Sequence, residues 1–145
     1  MTYLLDVNVL IALLEPNHPH NALALKWFDE VGRHRWATCP MTENAVVRIV
    51  AHPSYPNWPG SPTIVAALLG QFTEHPGHSF WPDDISLMDA TRFDLTRLAT
   101  SSQVTDSYLV ALAVAHGGRL ATFDRRLVPD AVVGGAQGLH LIGSP

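Results

Sequence analysis

VTDSYLVALAVAH (residues 104–116) carries one charge, Asp106, in a run that is otherwise apolar or neutral and long enough for three helical turns. Val110, Leu112 and Val114, with Ala111, Ala113 and Ala115 between them, leave almost no polar face. A helix that is apolar on nearly every side belongs in a core. Removing a carboxylate from water without a partner is costly. Either Thr105 or Asp106 caps this helix, with the acid favoured by the helix dipole, or other acids converge on Asp106 around something that needs them.

Outward from this helix, the chain alternates short apolar runs with helical patterns. Residues 3–5 read as a buried strand ending at Asp6, and residues 9–14 as a helix stopped by Pro16. A second helix is predicted over about 20–31, a strand over 36–38, and a helix opened by Pro40 and running to Val50. Four prolines and a glycine make residues 52–62 a loop. Helix returns over 63–73, then strand over 78–81. A weaker helical region spans 88–100, in one piece or two. After the Asp106 helix, which Gly117 and Gly118 end, strands are predicted over 119–123 and 139–142. Strands separated by helices give an α/β fold with a central, mostly parallel five-stranded sheet flanked by helices on both faces.

A chain of 145 residues, 47% hydrophobic and 15% charged, reads as a single globular domain over 1–145. Its formal net charge of −4 gives no global attraction for nucleic acid, so such a substrate needs a local basic rim or bound cations. The lone Cys39 forms no internal disulfide and fits a reducing, cytoplasmic setting. Neither a signal-peptide pattern nor an apolar run of membrane-spanning length is evident, so no membrane partner is expected.

In parallel α/β sheets, ligands sit beyond the carboxyl ends of the strands. That rule sorts the acids. Asp6 and Asp124 follow the first and fourth strands, Glu43 lies in the first turn of the helix after the second, and Asp106 opens the helix leading into the fourth. Each has a plain structural alternative: an Asx-turn or cap for Asp6, a first-turn acid for Glu43, a turn cap for Asp124. Their apolar settings, YLLD, TENAVV, VTDSYL and RLATFD, make four coincident caps the weaker explanation. Asp83 and Asp84 also follow a strand and compete for a site role, although Pro82 favours a surface loop.

Four carboxylates around one cavity repel one another: a pair about 4 Å apart costs roughly 4 kcal/mol at an effective dielectric of 20. A cation, or a rise in pKa, is then required. An all-oxygen donor set suits Mg²⁺ or Mn²⁺. Zinc does not fit, since Cys39 is alone and no His-x₃-His pair occurs. A carboxylate-held Mg²⁺ with open positions activates water and binds a phosphate oxygen, which points to phosphodiester hydrolysis. Neither a P-loop nor a Gly-rich dinucleotide motif is present. Arg125 and Arg126 beside Asp124, and Arg48, five residues after Glu43 and so turned off its face but still able to reach the rim, are the candidate basic rim that meets the phosphates. Tyr55, Trp58 and Trp81 either stack on bases or pack under loops.

LLDVNVLIALL, TENAVVRIV, QVTDSYLVALAVAHGGRLATFDRRL and the intervening FWPDDISL together resemble the PIN-domain ribonucleases of the VapC toxin class, over nearly the whole chain. The resemblance implies a PIN-like domain and a Mg²⁺-dependent endoribonuclease, with Mn²⁺ as a substitute. It implies Asp6, Glu43, Asp106 and Asp124 as catalytic acids, Asp6 and Asp106 as direct metal ligands, and Asn8 and Thr122 as polar helpers. It further implies RNA as substrate, cleavage leaving a 5′-phosphate and a 3′-hydroxyl, a VapB-type antitoxin, a homodimer and a toxin–antitoxin hetero-oligomer. The alternative is a non-catalytic interaction module whose acidic pocket receives a partner's arginine. A phosphoacceptor receiver domain fits poorly, because Asp6 is followed by Val7 and the sole lysine, Lys26, comes too early.

Overall fold

The computed structural model describes residues 1–143. Five strands, β1 (Tyr3–Leu5), β2 (Trp36–Thr38), β3 (His78–Phe80), β4 (Arg119–Thr122) and β5 (Leu139–Leu141), form one sheet in the order β3-β2-β1-β4-β5. Every pairing is parallel, so the sheet is more uniform than the sequence implies. The chain enters at the centre, builds outward through β2 and β3, then returns to the other side of β1 for β4 and β5. The reversal falls between β1 and β4, the topological switch point at which such sheets leave a crevice.

Both faces of the central strands are covered, which explains their unbroken apolar runs. Leu4 and Leu5 are both fully buried, on opposite sides. On one side, Leu5, Trp36 and Ala121 pack against α1 (Val7–Leu14), α2 (Asn21–Glu30), α3 (Pro40–Val50) and α4 (Pro62–Phe72). On the other, Leu4, Ala37 and Leu120 pack against α5 (Gln103–Ala115), whose residues Ser107 to Ala113 are all buried. The apolar run of α5 thus anchors a second core, which Trp81, Phe93, Leu127 and Val132 complete.

Two expectations are corrected. Residues 88–100 are turns with a short 3₁₀ segment at Leu95–Arg97, not a helix. Asp89 Oδ1 accepts hydrogen bonds from the backbone N–H and hydroxyl of Thr91, and Asp94 Oδ1 does the same with Thr96, so side chains replace helical partners. The segment is tied down instead by buried Phe93, which bridges to Val132. Secondly, neither Thr105 nor Asp106 caps α5: the helix starts a turn earlier, with Ser102 at the N-cap position and Gln103 Oε1 accepting from the N–H groups of Ala99 and Thr100. Tyr55 and Trp81 take packing roles, while Trp58 stays 48% exposed. Tyr55 donates to Glu15, Trp58 Nε1 to the Ala51 carbonyl, and buried Trp81 stacks on His116.

Two glycines show how unevenly this fold tolerates change. A Cβ on Gly118, at the tight turn from α5 into β4, would overlap the Thr2 carbonyl oxygen and touch the Trp81 ring. A Cβ on Gly70, inside α4, would meet nothing within 4 Å. Gly118→Ala is expected to cost about 1–3 kcal/mol, and Gly70→Ala to stabilise by about 0.5–1 kcal/mol. Urea unfolding midpoints of the two variants should move in opposite directions.

Candidate active site

Asp6 follows β1 directly and caps α1. Its Oδ1 accepts from the Val7 N–H at 2.8 Å and its Oδ2 from the Thr122 hydroxyl at 2.7 Å. Only 7% of its surface is exposed. Burial pushes its carboxyl above the usual carboxylate range; the bonds from Thr122 and Val7 oppose this, and the Asp124 charge adds to it.

Thr122, the last residue of β4, is fully buried and its hydroxyl is saturated. It donates to Asp6 and accepts from Asn8 Nδ2 at 3.3 Å and from the Asp124 N–H at 3.1 Å. One hydroxyl therefore joins the end of β1, the first turn of α1 and the start of the loop after β4. Asn8 Oδ1 faces the Phe123 N–H at 3.5 Å. Asp124 is half-buried and its Oδ1 accepts from the Arg126 N–H at 2.9 Å, so the turn-capping role and the position at the strand end coexist.

Asp106 lies in the first turn of α5, half-buried, and its carboxyl is raised to about 6. Burial is the largest cause, followed by the charges of Asp6 and Asp124. These three aspartates form one electrostatically coupled set. Asp106, Asp124, Arg126 and Gln103 share the lining of a cavity of about 380 Å³. The four ion pairs among the described residues all lie elsewhere, so no lysine, arginine or histidine neutralises the set.

Glu43 stands apart. It occupies the first turn of α3, half-buried, and its Oε2 accepts from the Thr38 hydroxyl at 2.7 Å at the end of β2. Its charge is not among those that raise Asp6 or Asp106. It faces His78 and lines a groove of about 920 Å³ between α3 and α4. Among the described residues, no three His, Cys, Asp or Glu side chains are gathered tightly enough to make a finished metal cage.

The expected rim divides as well. Arg126 lines the Asp106–Asp124 cavity, while the Arg125 side chain donates to the Gly143 carbonyl. Arg48, although five residues on from Glu43, lines the α3–α4 groove together with it, since the groove is wider than one helix face. Arg119 starts β4, at the opposite end of that strand from Asp124. Asp84 pairs with His116 at 3.2 Å, and Asp83 acts on Cys39 and Tyr108; neither joins the three aspartates. Sequence reasoning missed Thr38 and His78, whose contact with each other depends on strand register.

The PIN domain family profile matches residues 3–128. Ribonuclease VapC39 of Mycobacterium tuberculosis is 46% identical over 134 residues, covering 92% of this chain and 96% of that protein. Ribonuclease VapC44 of the same organism is 42% identical over 137 residues, covering 94% and 96%. In fold, the chain is similar to the crystal structure of VapBC2 from Rickettsia felis bound to a DNA fragment from their promoter. The TM-score is 0.58 at 12% identity, over 87% of this chain and 90% of that one. The chain belongs to the PIN-domain family and, within it, to the VapC group.

Proposed function

We propose that this protein is a divalent-metal-dependent endoribonuclease toxin that hydrolyses RNA phosphodiester bonds and is silenced by a VapB-type antitoxin. The observation that carries this reading is the coupled trio Asp6, Asp106 and Asp124, with Asp106 raised to about 6 and no cationic side chain paired to any of them. Such a set is stable as carboxylates only when a cation joins it. The names of the 46% and 42% identical relatives supply the substrate class.

The donors present fit Mg²⁺, or Mn²⁺ in its place. They are all oxygens, and the incomplete cage suits an ion that keeps several waters and takes only one or two carboxylates. Asp6 and Asp106 would hold it directly, with Asp124 and Glu43 in supporting positions. When bound, the ion supplies Lewis-acid activation of water and neutralises charge at the phosphate.

The chain's own residues do the rest. Val7 N–H and the Thr122 hydroxyl each engage one oxygen of Asp6 and so fix the plane of its carboxylate. Asn8 and the Asp124 N–H hold Thr122 in turn. Arg126, at the cavity wall, is placed to meet a phosphate oxygen on the strand being cut. The same unpaired aspartates would accept a guanidinium from the antitoxin, which would then compete with the ion for the site. A homodimer and a toxin–antitoxin hetero-oligomer complete this reading.

Asp106→Asn keeps the shape of the side chain and removes its charge. RNA cleavage should fall about a hundredfold or more, since even groups that only support a metal ligand are worth about 10- to 100-fold, while the thermal unfolding temperature is kept or raised. Full cleavage by this variant in Mg²⁺ would sink the mechanism.

A second outcome concerns pH. Asp106 is raised from 3.8 to about 6 in the folded protein, so between those values the folded state binds the extra proton and the unfolded state does not. Metal-free protein should therefore be most stable below about pH 4 with respect to this group and lose that stability as pH rises through about 6. Saturating Mn²⁺ should reverse the loss, because binding to the folded state alone stabilises it. Calorimetry with and without Mn²⁺ across this range checks both signs, and Asp106→Asn should flatten the metal-free curve.

A further inference from the structure

The Thr38 side chain is fully buried at the end of β2, and its single hydroxyl has two close neighbours. Glu43 Oε2 and His78 Nε2 each lie 2.7 Å from Thr38 Oγ1. The sheet makes this meeting. Trp36 pairs with His78 across β2 and β3, so Thr38, two residues along β2, is the diagonal neighbour of His78 on the same face. The His78 ring packs against Trp36 with centroids 4.6 Å apart. Burial holds its pKa below the usual imidazole value, with the nearby Glu43 charge opposing, so the ring is neutral at pH 7.

A hydroxyl has one proton to give. The Glu43 carboxylate has none, so the Thr38 proton goes to Glu43. The second short contact then requires a donor on the other side of Thr38 Oγ1, and among the described residues His78 Nε2–H supplies it. With the proton on Nδ1 instead, two acceptors would compete for one hydroxyl proton and Glu43 would be released for part of the time.

We propose that His78 is a positioning residue: held as the Nε2–H tautomer, it commits the Thr38 hydroxyl to Glu43 and thereby fixes the Glu43 carboxylate at the edge of the site. The consequence for catalysis rests on the nuclease reading; the tautomer and the placement of Glu43 do not.

Two measurements on the full chain test this separately. Long-range ¹H–¹⁵N correlation should show His78 protonated on Nε2 and bare on Nδ1. In His78→Phe, which keeps a ring but no donor, the side-chain carboxyl ¹³C resonance of Glu43 should shift. In His78→Gln, whose amide restores a donor, it should return toward the wild-type position. RNA cleavage should follow the same order, with His78→Phe losing about tenfold or more in kcat at nearly constant KM and His78→Gln staying within about threefold of wild type. A His78 ring protonated on Nδ1, or a Glu43 resonance indifferent to His78→Phe, would overturn the proposal. If the wild-type protein cuts no RNA, the nuclease reading falls, and the two resonance experiments still decide the role of His78.

Discussion

The Thr122 hydroxyl bonded to the Asp6 carboxylate is the contact on which the rest of this edge depends. It joins positions 116 residues apart and bridges the two strands where the sheet reverses direction. Without it, a carboxylate only 7% exposed would keep a single backbone donor. The bonds from Val7 and Thr122 oppose the burial that raises the Asp6 pKa, as hydrogen bonds to charged groups do at about 1.5–3 kcal/mol each. Because Thr122 also accepts from Asn8 and from the Asp124 N–H, the first and fourth acids are set relative to each other by one buried oxygen.

The second constraint is α5. Burial of every residue from Ser107 to Ala113 holds this helix within the core against the sheet. Asp106, one turn from its start, is then carried to the sheet edge whether or not a charge is welcome there. Its raised pKa follows from packing first and from Asp6 and Asp124 second. Core burial thus drives a repulsive arrangement of carboxylates, which a bound cation would relieve. The stability of the core and the acidity of the site are coupled through one helix.

Much of this was legible in the sequence, and the failures have physical causes. Asp6 and Asp124 stand out because each ends a short apolar strand, and the rule for parallel sheets places both at the ligand-bearing edge. α5 is legible because a helix without a polar face has only one place to go. The stretch from 88 to 100 misleads because Asp89, Thr91, Asp94 and Thr96 satisfy the backbone with side chains, a competition that periodicity does not detect. Arg48, off the Glu43 face of α3 by its spacing, still reaches the groove because α4 completes it. The Thr38–His78 contact was out of reach: it exists only once β2 and β3 are paired in register, and β3 at His78–Phe80 has no pattern that fixes a register from sequence.

The placement of Glu43 shows that the site has two unlike sides. Leu120 packs against α5, and alternation along β4 turns Thr122 the same way, so Asp6, Asp106 and Asp124 are coupled on that side. Trp36 packs against the four-helix side, and alternation along β2 turns Thr38, and with it Glu43, toward that layer. The aspartates are therefore crowded and without an ion-pair partner among the described residues, while Glu43 is set apart and accepts from the neutral Thr38 hydroxyl, which His78 Nε2 contacts in turn. Crowding makes a group of acids responsive to an ion; isolation keeps an acid charged and oriented without one. A single sheet edge holds both kinds of carboxylate because its two faces are packed by different helices. The unlike settings of the acids are thus a property of the layered fold and not of the acids' spacing in the chain.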